Sequence, residues 1–370
     1  MIDIVGHFGS RLSYATISNH LARALLNLTA LGNLTNLDDK FVVSDLEDRR
    51  RGPRGKKALL LADAQDHLIE MLVAEYGRDN VAIFVCPNTN RLSEERVRAC
   101  HNVGRVYTPS RWCRDTIDNH VHGPYRLFGT VADSAVCVMP LGVDEPFASS
   151  WVNRNVDGRD DEHIKLLHVT TDTFWAGRKG TEELIAAWEL ARRELGILRL
   201  ATLTIHCLPH LYATVYQELG AHDLLDEVKL VKAPIRGSTP EELFDLFASH
   251  DMLVAPSRSE GFGVMPLSAL VSGLPVLTTA GTGQDDYLIR HEPKLKGWLQ
   301  VPTTGSAELT GEDGEAPVVR DDQLALSLVA GCRLWPELNR LVDGNKGLGE
   351  EWSWTRRSEA WAYDLIEWDS

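Results

Sequence analysis

Short β-branched runs recur along the chain, separated by longer stretches whose apolar residues follow a helical period. IDIV (2–5), FVV (41–43), VAIFV (81–85), RVYT (105–108) and VCVM (136–139) read as strands, and ATISNHLARALLNL between the first two reads as a helix. A polar, glycine-containing segment without period, ASSWVNRNVDGRDDEH (148–163), interrupts the alternation. A second series then begins with KLLHV, LATLTIHC, VKLVKA, DMLVAP and LPVLTT. Strands alternating with helices predict α/β architecture with parallel sheets, here in two domains with a boundary near 145–162. Such sheets bind ligands outside the carboxyl ends of their strands, so function is expected on the loops that follow them.

Composition narrows the class. The 370 residues are 44% hydrophobic and 25% charged, as in globular proteins, and no uncharged apolar run of membrane-spanning length occurs. The opening MIDIVGHFGS has no basic leader followed by a long apolar stretch, so we expect no secretory signal and a cytoplasmic location. Six cysteines lie far apart without a C-x-x-C pair, which fits reduced, buried thiols better than disulfides or a zinc site. The net charge of −15 makes the surface repel polyanions unless a local basic patch intervenes.

Candidate chemistry concentrates in PSRSEGFGVMPLSALVSGLPVL (256–277). DMLVAP is a strand, PSRSEGFG the loop at its carboxyl end, and FGVMPLSALVSG a helix whose first turn presents unpaired N–H groups. Gly261 and Gly263 allow a ligand close to the backbone, and Glu260 accepts hydrogen bonds from a polyhydroxylated ligand such as a sugar. The plainer reading is an acid placed near the positive end of a helix dipole.

This segment resembles the donor-binding segment of the retaining nucleotide-sugar glycosyltransferases of family 4, in which a Glu, Gly-Phe-Gly, a second Glu eight positions after the first, and a Gly-x-Pro-Val strand follow one another. AGRKGTEELIAAW (176–188) is similar to that family's Arg/Lys-Gly segment, which grips the donor pyrophosphate. VCVMPLGVDEPF (136–147) resembles its Pro-x-Gly-Val-Asp signature, and GRVYTPSRWCRD (104–115) the strand and turn before it. The resemblance implies a GT-B fold of two Rossmann-like domains facing across a cleft. An acceptor-binding domain would occupy 1–150, a nucleotide-sugar-binding domain 151–345, and a final helix within 346–370 would cross back to the first domain. It implies sugar transfer from a nucleotide diphosphate sugar to a hydroxyl, with no metal and no other cofactor. Lys179, Arg178 and Glu260 would act at the reacting centre. Gly9, Ser10, Ile235, Gly261, Phe262, Gly263 and Ser268 would complete the donor site.

The chain departs from the pattern at several points. Ser268 stands where the family has its second Glu, and a hydroxyl cannot accept hydrogen bonds with a carboxylate's charge. The family's usual arginine falls near Thr173, which is uncharged. A histidine expected in the first domain is replaced within FVCPNTNR (84–91) by Cys86, Asn88 and Asn90, which are acceptor-site candidates or members of an Asx turn beside Pro87. GHFGSRLS (6–13) is not G-x-G-x-x-G, which argues against a dinucleotide cofactor. HCLPH (206–210) reads as a strand end rather than a metal site. Acceptor recognition is sought in DRRRGPRGKK (48–57), where Arg49, Arg50, Arg51 and Arg54 form either a solvated loop or an arm for a polyanion. A hydroxylated base in DNA, as in bacteriophage DNA hypermodification, fits the second reading, and host cytoplasm would then be the location. A polysaccharide, a glycolipid or a protein as acceptor stays open. So do a catalytically degenerate nucleotide-sugar binder and an isomerase or epimerase.

Overall fold

A computed structural model describes residues 1–8, 13–37, 54–62, 65–121, 135–152, 163–170, 177–234, 237–291, 294–309 and 314–368. The chain divides into two units, one made of Met1–Gly142 with Ser353–Ser370, the other of Val143–Trp352.

The first unit is built on β1 (Ile2–Gly6), β2 (Leu31–Asn36), β3 (Lys57–Leu61), β4 (Val81–Phe84), β5 (Arg105–Thr108) and β6 (Ala135–Val138). They form one sheet in the order β2-β1-β3-β4-β5-β6, parallel at every pairing. The predicted strands at 2–5, 81–85, 105–108 and 136–139 are present within a residue or two, whereas 41–43 lies outside the described residues. Two strands were not anticipated. β3, KALLL, is buried from Ala58 to Leu61 because both sheet faces are covered, so it shows a continuous apolar run instead of alternation. β2, LGNLTN, is polar, and a buried carboxylate on its neighbour holds it. Asp3 Oδ1 accepts from the Asn33 and Gly55 N–H groups at 2.6 and 2.7 Å, and Oδ2 accepts from the Tyr76 hydroxyl at 2.6 Å.

The last helix, Trp354–Glu367, belongs to this unit. Ser353 caps it by accepting from the Arg356 N–H at 3.2 Å. Trp361 packs between Phe84 and Tyr107, and Asp364 accepts from Arg105 at 2.7 Å and from the Tyr107 hydroxyl at 2.5 Å. Fully burying an aromatic ring of this kind is worth about 1.5–3 kcal/mol, so the helix is anchored chiefly by Trp361.

The second unit has β7 (Ile164–Thr170), β8 (Ala201–Cys207), β9 (Val228–Lys232), β10 (Met252–Ala255), β11 (Val276–Thr278) and β12 (Trp298–Gln300). Their order is β12-β11-β10-β7-β8-β9, again parallel throughout. From β7 the chain builds outward through β8 and β9, then returns to the other side of β7 with β10. The strand order therefore reverses between β7 and β10, the switch point at which open α/β sheets hold ligands. A small antiparallel hairpin of β13 (Thr303–Glu308) and β14 (Glu315–Val319) follows β12. Trp188, Leu166, Leu203 and Val254 form part of the core against this sheet. Among the described residues no helix is long and apolar enough to cross a membrane. None of the six cysteines is in a disulfide, four of them being buried and Cys86 and Cys137 half-buried.

Candidate functional site

The loops after β7 and β10 meet at the switch point of the second unit. After β10 the chain runs through Pro256–Gly263 into the helix Val264–Val271. Gly263 takes φ +81°, a left-handed turn that a side chain would strain, and a Cβ there would crowd the Tyr287 hydroxyl. After β7 the described chain resumes at Gly177 and enters the helix Thr181–Leu190 through Gly180, φ +67°, where a Cβ would run into the Pro256 carbonyl. The two loops therefore touch backbone to backbone. The Arg258 N–H donates to the Arg178 carbonyl at 2.8 Å, and the Arg178 guanidinium to the Ser259 carbonyl at 3.3 Å.

Across this seam three predicted residues come together. Lys179 Nζ lies 2.6 Å from Glu260 Oε1, and Arg178 Nη1 lies 3.5 Å from Oε2. The Ser257 hydroxyl donates to Oε1 at 2.8 Å. Glu260 is 6% exposed. Burial alone pushes its carboxyl upward, but the Lys179 ammonium, the Arg178 guanidinium and the hydrogen bonds from Lys179 and Ser257 outweigh that and hold it below the usual carboxylate range. The acid is thus ionised and bound between two cations. Both cations stand where the chain enters the helix Thr181–Leu190, beside its N-terminus.

The segment 279–287 braces the Glu260 loop from behind. The Thr279 hydroxyl donates to the Ser257 carbonyl at 2.5 Å, and the Gly283 N–H to the Glu260 carbonyl at 2.8 Å. The Glu260 N–H donates to Thr282 Oγ1 at 3.3 Å, and the Tyr287 hydroxyl to the Gly263 carbonyl at 2.7 Å. Phe262 is buried against Tyr287 and Trp352, with centroids 5.6 and 6.3 Å away, so its ring anchors the loop and what it offers a ligand is backbone. Two buried oxygens beside this loop, Ser259 Oγ and Gln284 Oε1, have no hydrogen-bond partner among the described residues.

Ser268 lies buried on the helix Val264–Val271, and its carbonyl accepts from the Ser272 hydroxyl at 2.7 Å. Gly9, Ser10, Ile235, Arg49, Arg50 and Arg51 fall outside the described residues. Asn88 and Asn90 follow β4 in the first unit, half-buried and exposed respectively. Arg54, also in the first unit, pairs with Glu75 at 2.6 Å and lies over the Tyr76 ring. No group of three or more His, Cys, Asp or Glu able to hold a metal occurs among the described residues, and His206 of HCLPH ends β8 beside Ser238. Sequence reasoning missed Ser257, Thr279, Thr282, Gln284, Tyr287 and His168, which build the site from behind. Only Ser257, three residues before Glu260, carried a local signal.

Comparison with known proteins sharpens this geometry. Residues 166–310, which include both loops and their brace, match the model of the family described as Glycosyl transferases group 1. That stretch of the second unit is similar to group 1 glycosyl transferases. The lipopolysaccharide glucosyltransferase WaaG of Escherichia coli K12 is 27% identical over 140 residues, 38% of this chain. The match spans only 34% of that relative's length. The fold extends further. A sucrose-phosphate synthase from Thermosynechococcus elongatus superposes with a TM-score of 0.67 over 99% of this chain and 98% of its own, at 13% identity. The WaaG structure does so at 0.59 over 99% and 100%, at 14% identity. A pneumococcal O-GlcNAc transferase, GtfA, solved with UDP and GlcNAc, matches at 0.57 over 85% of this chain and 57% of its own, at 16% identity. The matched stretch thus sits in a chain of GT-B fold, two α/β units each on a parallel six-stranded sheet.

Proposed function

We propose that the chain is a retaining glycosyltransferase of family 4, using a nucleotide diphosphate sugar as donor and a hydroxyl as acceptor. The observation that carries this reading is the triad of Arg178, Lys179 and the buried Glu260 at the switch point beside a helix N-terminus. Transfer breaks the bond between the anomeric carbon and the diphosphate oxygen and forms one to the acceptor oxygen on the same face, while the acceptor hydroxyl loses its proton. Negative charge grows on the departing diphosphate, and preorganised cations there are the largest help available. In this reading Lys179 and Arg178 turn from Glu260 toward the phosphates, without a metal, and Glu260 becomes the acceptor for sugar hydroxyls. Ser259 Oγ and Gln284 Oε1 supply hydrogen-bonding capacity that no other described residue takes up. Gly9, Ser10, Ile235 and Ser268 complete the donor site in the proposal.

The test is a product assay over nucleotide diphosphate sugars with and without acceptor. Transfer with retained anomeric configuration supports the reading. Binding without turnover makes the chain a degenerate binder, and sugar rearrangement without acceptor makes it an isomerase or epimerase.

For the acceptor we propose a hydroxylated base in DNA, on the strength of the basic run 48–57 in a chain of net charge −15. With Arg54 engaged by Glu75, Arg49, Arg50 and Arg51 are the proposed phosphate contacts. Neutralising three phosphates predicts a slope of log K against log salt of about −2.7, removed by replacing the three with Ser. A saccharide or glycolipid acceptor is the competing reading, favoured by the lipopolysaccharide glucosyltransferase among the relatives. No association with duplex DNA at low salt would decide for it.

A further inference from the structure

The cationic loop is held from below by a residue that no part of the proposed chemistry uses. His168, in the middle of β7, is 1% exposed. Its Nδ1 lies 2.8 Å from the Val254 carbonyl, on the strand that ends in the Ser257–Glu260 loop. Its Nε2 lies 3.0 Å from the hydroxyl of Thr181, the first residue of the helix that begins immediately after Lys179 and Gly180. A carbonyl only accepts, so Nδ1 carries the proton, and in the neutral ring Nε2 must then accept from the Thr181 hydroxyl. Both ring nitrogens are satisfied in one tautomer only.

Two features keep that tautomer neutral. Burial disfavours the imidazolium, and the Lys179 ammonium opposes a second positive charge nearby, while the Val254 carbonyl pulls the other way. The balance lowers the pKa to about 4. An ordinary core residue at this position needs only to fill space, as Leu166 and Leu167 do on the same strand. A histidine bonded at both ends fixes a distance between two elements.

We propose that His168 is a positioning residue of the donor-phosphate site, a neutral strut that sets the start of the Thr181 helix against β10 and so fixes where Arg178 and Lys179 stand over Glu260. This rests on the reading of those two cations as diphosphate ligands. The strut acts at the seam where the Arg258 N–H meets the Arg178 carbonyl and Gly180 meets the Pro256 carbonyl, contacts that leave no slack for a shifted helix start.

The experiment is calorimetric titration of the full chain with UDP, GDP, ADP and CDP, using whichever binds the wild type most tightly. The variants are His168→Asn, which keeps a donor near Nδ1 and loses Nε2, Thr181→Val, which removes one hydroxyl at the helix start, and Lys179→Met as control. Loss of one neutral hydrogen bond predicts affinity weakened about five- to tenfold in both strut variants, with kcat falling as well as KM rising. Imidazole ¹⁵N shifts of the wild type should show a protonated Nδ1 and a bare Nε2 that do not titrate between pH 5.5 and 8. Strut variants that melt lower yet bind the diphosphate with unchanged Kd, while Lys179→Met binds weakly, overturn the strut alone and leave the phosphate reading standing. An unchanged Kd in Lys179→Met overturns both. A protonated Nε2, or titration near pH 6.5, refutes the tautomer and the strut with it.

Discussion

Asp3 and Glu260 are both carboxylates sealed from water at the sheet of their respective units, 2% and 6% exposed, yet their partners differ in kind. Asp3 is satisfied by two backbone N–H groups and a tyrosine hydroxyl, all neutral and all supplied by the fold around it. Its work is to hold β2 and the chain entering β3. Glu260 is satisfied by two cationic side chains and a serine. A buried charge answered by neutral dipoles belongs to the architecture. One answered by cationic side chains places beside it groups that an anionic ligand can also engage.

That contrast breaks most visibly at Lys179. Lys179→Ala should lower turnover by about a hundredfold or more, since removing a preorganised group aimed at a developing anion costs about 3 kcal/mol. Near-normal turnover would remove Lys179 from the phosphate site. Asp3→Ala should do the reverse. Leaving three buried donors without an acceptor costs about 3 kcal/mol of stability in urea unfolding, with donor affinity unchanged in the folded protein. A donor affinity that falls with Asp3 would merge the two classes of carboxylate.

A smaller effect is expected at Ser268. If the pocket keeps the family's shape, Ser268→Glu should tighten a ribose-containing donor about tenfold, the difference between a charged and a neutral hydrogen bond. Unchanged affinity in calorimetry would show a pocket rebuilt around serine. The smallest effect is on acid stability. Because the Glu260 carboxyl is held below its ordinary range in the folded protein, its contribution is present above the unfolded value of about 4.3 and is lost as pH falls through the folded one. Glu260→Gln should therefore flatten the fall of stability with acid below about pH 4.3 by at most one proton. An identical slope in both proteins would mean that the carboxyl is not depressed.

Much of this was legible along the chain, and the part that was not has physical causes. The second unit's strands declared themselves because β7 to β11 are short, β-branched and bounded by turns, and the Glu260 loop because glycine is required where φ is +81°. KALLL escaped because a strand buried on both faces has no period to read. LGNLTN escaped because Asp3, far away in sequence, makes its polar backbone tenable. Arg178 and Lys179 were placed by the resemblance, but their pairing with Glu260 needs the strand order that brings β7 beside β10. Thr279, Thr282 and Tyr287 support the loop through backbone carbonyls and N–H groups, contacts that impose no pattern on their own residue types. His168 looked like one polar residue in an apolar strand, and only its two partners give it meaning.

The central claim is that the Arg178, Lys179 and Glu260 triad is a diphosphate site, and comparing a nucleoside diphosphate with its nucleoside in calorimetry tests it most directly. The account predicts that the diphosphate binds at least about a hundredfold more tightly, corresponding to about 2.7 kcal/mol, and that most of this margin disappears in Lys179→Met. Equal affinity for nucleoside and diphosphate, or a margin untouched by Lys179→Met, would contradict it.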